Sequence, residues 1–154
     1  MRFVSYDIVF QEVPDEVTLA LNISGCPIRC AGCHSPHLWE DTGYELDEQA
    51  IDSLLADYGG DITCVALMGG DADVEGVYRL TRHIRQCGLK TAWYSGRQSL
   101  PEDCPIEIFD YIKTGPYIAA LGGLKSPTTN QRLYRIGKQG KMTDITYRLQ
   151  KPFP

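Results

Sequence analysis

Cys26, Cys30 and Cys33 stand in the stretch Ser24-Gly25-Cys26-Pro27-Ile28-Arg29-Cys30-Ala31-Gly32-Cys33-His34, a Cys-x3-Cys-x2-Cys spacing that follows directly on an apolar segment. An odd trio of thiols cannot pair off into disulfides. Close thiolates are instead soft ligands of the kind that hold zinc or an iron–sulfur cluster. A four-iron cluster takes four protein ligands when fully ligated, so a loop offering three thiolates would leave one iron open to a substrate. The competing reading is a structural zinc site, a Cys3His tetrahedron completed by His34 or His37. The triplet alone leaves both open.

Further groups able to do chemistry sit where predicted strands end. Gly69-Gly70-Asp71 closes an apolar run, and two glycines allow close backbone approach to a ligand while the carboxylate can balance an ammonium. In isolation such a tripeptide is most often a turn. Ser95-Gly96 follows Trp93-Tyr94 in the same way, with a plain strand-to-loop turn as its alternative. His34 borders the cysteine loop, where it could contact a cofactor or simply be solvated. His83 falls in an amphipathic helical pattern and reads as a surface residue. Cys64, Cys87 and Cys104 fall in a predicted buried strand, at a helix end and in a Pro-flanked turn, and read as free structural cysteines.

The elements that must position these groups alternate between strand and helix. Residues 3–10 suggest a first strand, and Thr18 to Ile23 alternates with Leu19, Leu21 and Ile23 on one face. Asp47 is a suitable N-cap for a helix carrying Ile51, Leu54, Leu55 and Tyr58, ended by Gly59-Gly60. Ile62 to Met68 reads as a strand buried on both faces. Asp73 can cap a second helix with Val77, Leu80, Thr81 and Ile84 on one face, stopped at Gly88. Strands are predicted over 89–94, 106–112, 131–136 and 143–149, with only an irregular crossover at 101–105. In parallel α/β folds the active-site edge is the C-terminal end of the strands, which is where the cysteine loop emerges.

The 154 residues suffice for a single domain, 1–154, with a sizeable core. A complete eight-unit barrel needs about 250 residues. The expected architecture is therefore α/β, an open, partial βα barrel with mainly parallel strands. Fifteen basic against twenty acidic residues, a formal charge of −5, argue against nucleic acid as a partner. No apolar run approaches the roughly 18–20 residues of a membrane span, and the opening Met1-Arg2-Phe3 does not read as a signal peptide. A cytoplasmic protein with reduced thiols is the expectation.

The cysteine spacing resembles the cluster loop of the radical S-adenosylmethionine enzymes. With Gly32 before the third cysteine, His34 after it and Trp39 beyond, it looks most like the activating enzymes of the anaerobic (class III) ribonucleotide reductases. Ser35 stands where those enzymes usually carry Asn. Gly69-Gly70-Asp71 resembles their Gly-Gly-Glu/Asp motif, followed here by Ala72-Asp73. Trp93-Tyr94-Ser95-Gly96 resembles an aromatic-aromatic-Thr/Ser-Gly segment, and Thr114-Gly115-Pro116-Tyr117 a Gly-Pro segment in which Lys113-Thr114 replace Val-Asp. Thr128-Thr129-Asn130-Gln131-Arg132 resembles a Ser-x-Asn-Gln-Arg signature. The likeness runs from about Asn22 to Leu133.

This resemblance implies a [4Fe-4S] cluster on Cys26, Cys30 and Cys33, with S-adenosyl-L-methionine bound by Gly69, Gly70, Asp71, Ser95, Gly96 and His34. It implies one-electron cleavage to a 5′-deoxyadenosyl radical that takes a hydrogen from a glycine of the large subunit of the anaerobic ribonucleoside-triphosphate reductase, leaving a glycyl radical. No catalytic residue beyond the cluster ligands is implied. An electron donor such as a flavodoxin-like protein is required. The alternatives are an activase of another glycyl-radical enzyme, a non-catalytic zinc-binding interaction domain and a small electron-transfer protein.

Overall fold

A computed structural model describes residues 1–150. Among these, eight strands form one sheet: β1 (Arg2–Val9), β2 (Thr18–Ile23), β3 (Tyr44–Glu45), β4 (Cys64–Met68), β5 (Lys90–Tyr94), β6 (Tyr111–Thr114), β7 (Arg132–Ile136) and β8 (Met142–Asp144). Their order across the sheet is β3-β1-β2-β4-β5-β6-β7-β8. Helix α1 (Glu48–Tyr58) lies in the connection from β2 to β4, and α2 (Val74–Gln86) in that from β4 to β5.

The expected partial βα barrel with mainly parallel strands is not what forms. The sheet is mixed: β2-β4, β4-β5 and β5-β6 pair parallel, while β1-β2, β1-β3, β6-β7 and β7-β8 pair antiparallel. The reason lies in the crossovers. A barrel needs a helix after each parallel strand, but the β5-to-β6 connection carries Pro101 and Pro105 and only a 3-10 turn at Ile106–Ile108. After β6 the chain reverses into antiparallel β7 and β8, and β1 covers the other side of β2. Two βα units are thus flanked by antiparallel strands.

Local signals explain the helices. Asp47 accepts from the Ala50 N–H at 2.8 Å and Asp73 from the Gly76 N–H at 3.0 Å, each closing a helix start. Gly88 sits at φ +83, the left-handed conformation that stops α2. Two other expectations are shortened. The 106–112 strand begins only at Tyr111, because the 3-10 turn after Pro105 occupies its first part. The 143–149 strand ends at Asp144, whose carboxylate accepts from both the N–H (2.9 Å) and hydroxyl (2.6 Å) of Thr146 and turns the chain into a 3-10 segment, Thr146–Leu149.

The core is asymmetric. Leu19, Leu21, Ile23, Val65, Leu67 and Trp93 face α1 and α2, packing on Ile51, Leu54, Val77, Leu80 and Ile84. Trp93 stacks on Phe109 at 5.7 Å and meets Tyr78 edge-on at 6.1 Å. On the opposite face Cys64, Ala66 and Ala92 of the central strands cluster with Leu133 of β7 and with Val13 and Ile145 from the connecting chain. The helices cover the first face, while the second, which also carries Tyr111, Met68 and Tyr94, is covered by chain outside the two α-helices.

Candidate functional site

All four strands of the parallel portion release their C-terminal ends at one edge of the sheet: β2 into Ser24-Gly25-Cys26, β4 into Gly69-Gly70-Asp71, β5 into Ser95-Gly96 and β6 into Gly115-Pro116. The ends are tied to one another. The Gly69 N–H donates to the Tyr94 carbonyl (3.0 Å), Trp93 Nε1–H to the Gly69 carbonyl (2.8 Å), and the Ser95 N–H to the Lys113 carbonyl (2.9 Å).

The cysteine loop leaves this edge through a neck. The N–H groups of Gly25 and Cys26 donate to the carbonyls of Glu40 (3.1 Å) and Leu38 (2.9 Å), and the Ser24 hydroxyl donates to the Thr42 carbonyl at 2.6 Å. Inside the loop the chain turns tightly, with Arg29 at φ +50 and Gly32 at φ +74. Arg29 lies over the Trp39 ring at 5.9 Å. The loop rests on the other strand ends. Ile28 packs so close to Gly96 that a Cβ there would stand 2.8 Å from Ile28 Cγ1, and the His34 ring meets that of Tyr117 at 4.9 Å.

Cys26, Cys30 and Cys33 are free and half-buried. The Cys33 sulfur accepts from the Ser35 N–H at 3.3 Å, the kind of contact that stabilises a ligating thiolate. Three thiolates in one short loop are a soft donor set that a cluster takes with each thiolate on its own iron. His34 and His37, the residues that could complete a zinc tetrahedron, are exposed. The donor set therefore fits an iron–sulfur cluster.

Asp71, Ser95 and Gly96, from two different strand ends, meet directly. The Asp71 carboxylate is 3% exposed and accepts from the Ser95 hydroxyl at 2.6 Å and the Gly96 N–H at 2.8 Å. Arg97 donates to the Asp71 carbonyl at 2.8 Å and holds its Nε 3.5 Å from the carboxylate. Gly69 and Gly70 stand at φ +120 and +91, and a Cβ on Gly70 would lie 2.5 Å from Val77 Cγ2, so this segment must be glycine for the backbone to pass α2.

Lys113, which the sequence reading noted only as a departure from Val, belongs to this edge. Its ammonium is buried and donates to the carbonyls of Gly115 (2.7 Å) and Ser95 (3.2 Å). Burial pushes it down to about 8, opposed by the charge of Asp71 and of the Cys30 and Cys26 sulfurs. A lysine inside the fully buried strand Tyr-Ile-Lys-Thr was the available signal. The Asn130-Gln131 pair has a mechanical place: Asn130 Nδ2–H donates to the Pro116 carbonyl (3.0 Å), and Gln131 Nε2–H reaches the Gly115 carbonyl (3.4 Å).

The remaining cysteines lie elsewhere. Cys64 is at the start of β4, remote from the edge where β4 ends, and burial pushes its thiol up to about 12. Cys104 sits in the β5-to-β6 crossover and Cys87 at the end of α2.

A family described as a 4Fe-4S single cluster domain matches residues 16–107, well over half of the chain. The chain belongs to this family and is an iron–sulfur protein. The matched span contains all six cysteines; of these, Cys26, Cys30 and Cys33 share one loop at one edge of the sheet. No curated protein and no solved structure matches the chain. Among the described residues no helix is long and apolar enough to cross a membrane.

Proposed function

We propose that this chain is a radical S-adenosylmethionine activating enzyme for a glycyl-radical enzyme, the anaerobic ribonucleoside-triphosphate reductase. The observation that carries the reading is the joining of Asp71, Ser95 and Gly96 directly under a three-thiolate loop, at the common C-terminal edge of four strands. When bound, a [4Fe-4S] cluster and S-adenosyl-L-methionine supply the one-electron cleavage whose 5′-deoxyadenosyl product removes a hydrogen atom from a glycine.

The residues of the chain bind and orient. Cys26, Cys30 and Cys33 would hold the cluster, and as only three thiolates they would leave it able to bind S-adenosyl-L-methionine. Asp71 already accepts two hydrogen bonds, but a carboxylate offers about four lone-pair positions, so it can fix the end of β5 and still meet an ammonium. Lys113 and Arg97 counter the negative charge of Asp71 and of the thiolates. Gly69, Gly70, Ser95, Gly96 and His34 line the ligand's path. Ala31, Gly32 and His34 in the loop and Ala119 beside Gly32 are exposed, and a protein substrate covering them would exclude water while presenting its glycine. A flavodoxin-like donor supplies the electron.

The test is isotopic. Anaerobically purified protein should contain iron with acid-labile sulfide. With reductant, S-adenosyl-L-methionine and the anaerobic reductase carrying deuterated glycine, deuterium should enter 5′-deoxyadenosine and a glycyl radical should appear by electron paramagnetic resonance. Zinc without sulfide sinks the cluster. Cleavage without label transfer sinks the assigned partner.

A further inference from the structure

On the outer layer, away from the strand-end edge, α1 and α2 run side by side and exchange charged contacts at intervals of four residues. Glu48 meets Arg79 at 3.0 Å, and Asp52 meets His83 at 2.6 Å. Residues four apart on a helix lie on one face, so the next position along α2 after His83 is Cys87 and its counterpart on α1 is Ala56. At this position the pattern of charge pairs stops. Instead, a carboxylate oxygen of Asp52, a ring nitrogen of His83 and the Cys87 sulfur all lie within 4.8 Å of one another.

We propose that Asp52, His83 and Cys87 form a zinc site that ties α1 to α2, separate from the cysteine loop. An Asp–His ion pair explains the 2.6 Å contact but requires no thiol beside it. The three donors are a carboxylate oxygen, an imidazole nitrogen and a sulfur, the mixed set of a borderline divalent ion. Two of them stand at i and i+4 on one helix, a spacing that turns two ligands toward a single metal. The backbone holds that spacing, since the Cys87 N–H continues the helical turn onto the carbonyls of His83 (3.2 Å) and Ile84 (3.0 Å). Tetrahedral bonds of about 2.0–2.1 Å put nitrogen and oxygen ligands roughly 3.3 Å apart, so the Asp52–His83 contact needs to open by less than an ångström. Asp52 and Cys87 are exposed and His83 half-buried, which gives the ion a path in and leaves its fourth position to water. On binding, the Cys87 thiol gives up its proton to solvent and its sulfur bonds to the metal.

This site bears on how the metal content of the protein is read: zinc found beside iron would belong here and would not argue against a cluster on the loop. The test uses the full, cluster-loaded chain. Equilibrium dialysis against zinc sulfate, with zinc, iron and sulfide measured on the same sample, should show one zinc per chain beyond the cluster iron for the parent and for Cys104→Ser. His83→Ala and Cys87→Ser should bind it roughly tenfold or more weakly, since even a residue that only supports a ligand is worth about 10–100-fold. Their iron and sulfide should be unchanged. With cobalt(II) as the probe, a thiolate-to-metal charge-transfer band should appear in Cys104→Ser and be lost in Cys87→Ser. Absence of zinc uptake by the parent, or undiminished uptake by both ligand variants, overturns the proposal.

Discussion

At the scale of single residues, the site depends on one buried carboxylate with cations beside it. Asp71→Asn keeps the shape but replaces an acceptor with an NH2 group that cannot accept from both Ser95 and Gly96. If Asp71 meets the ligand's ammonium, S-adenosyl-L-methionine binding should weaken by about 1–3 kcal/mol, the cost of a lost charge-assisted hydrogen bond, while the iron content stays. Isothermal titration of the loaded protein measures this, and unchanged affinity would reduce Gly69-Gly70-Asp71 to a turn. Lys113 makes a different prediction. Its buried ammonium, held by the Ser95 and Gly115 carbonyls, interacts electrostatically with the Cys30 and Cys26 sulfurs, and net charge near a cluster is one of the determinants of its potential. Lys113→Met should make the cluster harder to reduce, on the order of 60 mV, which is one factor of ten in a one-electron equilibrium. A spectroscopic redox titration with an unshifted midpoint would show that this charge does not reach the cluster.

Between elements, the decisive contact is the seating of the cysteine loop on the end of β5. Gly96 permits it because a methyl group there would lie 2.8 Å from Ile28 Cγ1, well inside ordinary carbon–carbon contact. Gly96→Ala should lift the loop and lower the iron and sulfide retained after desalting, with the fold intact by circular dichroism. Ile28→Ala in the same chain removes the opposing side chain and should restore retention in part. If Gly96→Ala holds its cluster as firmly as the parent, the loop is fixed by its neck at Gly25 and Cys26 alone.

For the molecule as a whole, the opposite edge of the sheet holds the strands in register. Glu16, 5% exposed, accepts from Lys90 (2.5 Å), Thr63 (2.6 Å) and Tyr111 (2.9 Å), joining the beginnings of three strands. Burial pulls its carboxyl up, but these hydrogen bonds together outweigh burial and hold it below its ordinary value of 4.5. Because the folded-state value is the lower one, the stability Glu16 contributes is complete above pH 4.5 and is lost as the pH falls through the depressed value. Urea midpoints should therefore decline on acidification. Glu16→Gln should lower stability near neutrality by about 1–3 kcal/mol and flatten that decline, without changing cluster content. An equally steep decline in Glu16→Gln would assign the acid sensitivity to other carboxylates.

The sequence by itself determined what depends on near neighbours. The caps at Asp47 and Asp73 and the stop at Gly88 are set within one turn of chain, and the thiol spacing at Cys26, Cys30 and Cys33 states a ligand set without any fold. The placing of reactive groups at strand ends was also legible, because apolar runs break into glycine and polar residues there. The closure of the sheet was not. Whether βα units continue into a barrel depends on what covers each crossover, and the irregular crossover at Pro101 and Pro105 together with the antiparallel return of β7 onto β6 decides that through pairings between segments as distant as Tyr111 and Arg135. Tertiary structure alone brought Asp71 to Ser95 and Gly96, seated the Lys113 ammonium on the Ser95 carbonyl, and set Asp52 beside His83 and Cys87, because each of these contacts joins segments that no local pattern relates.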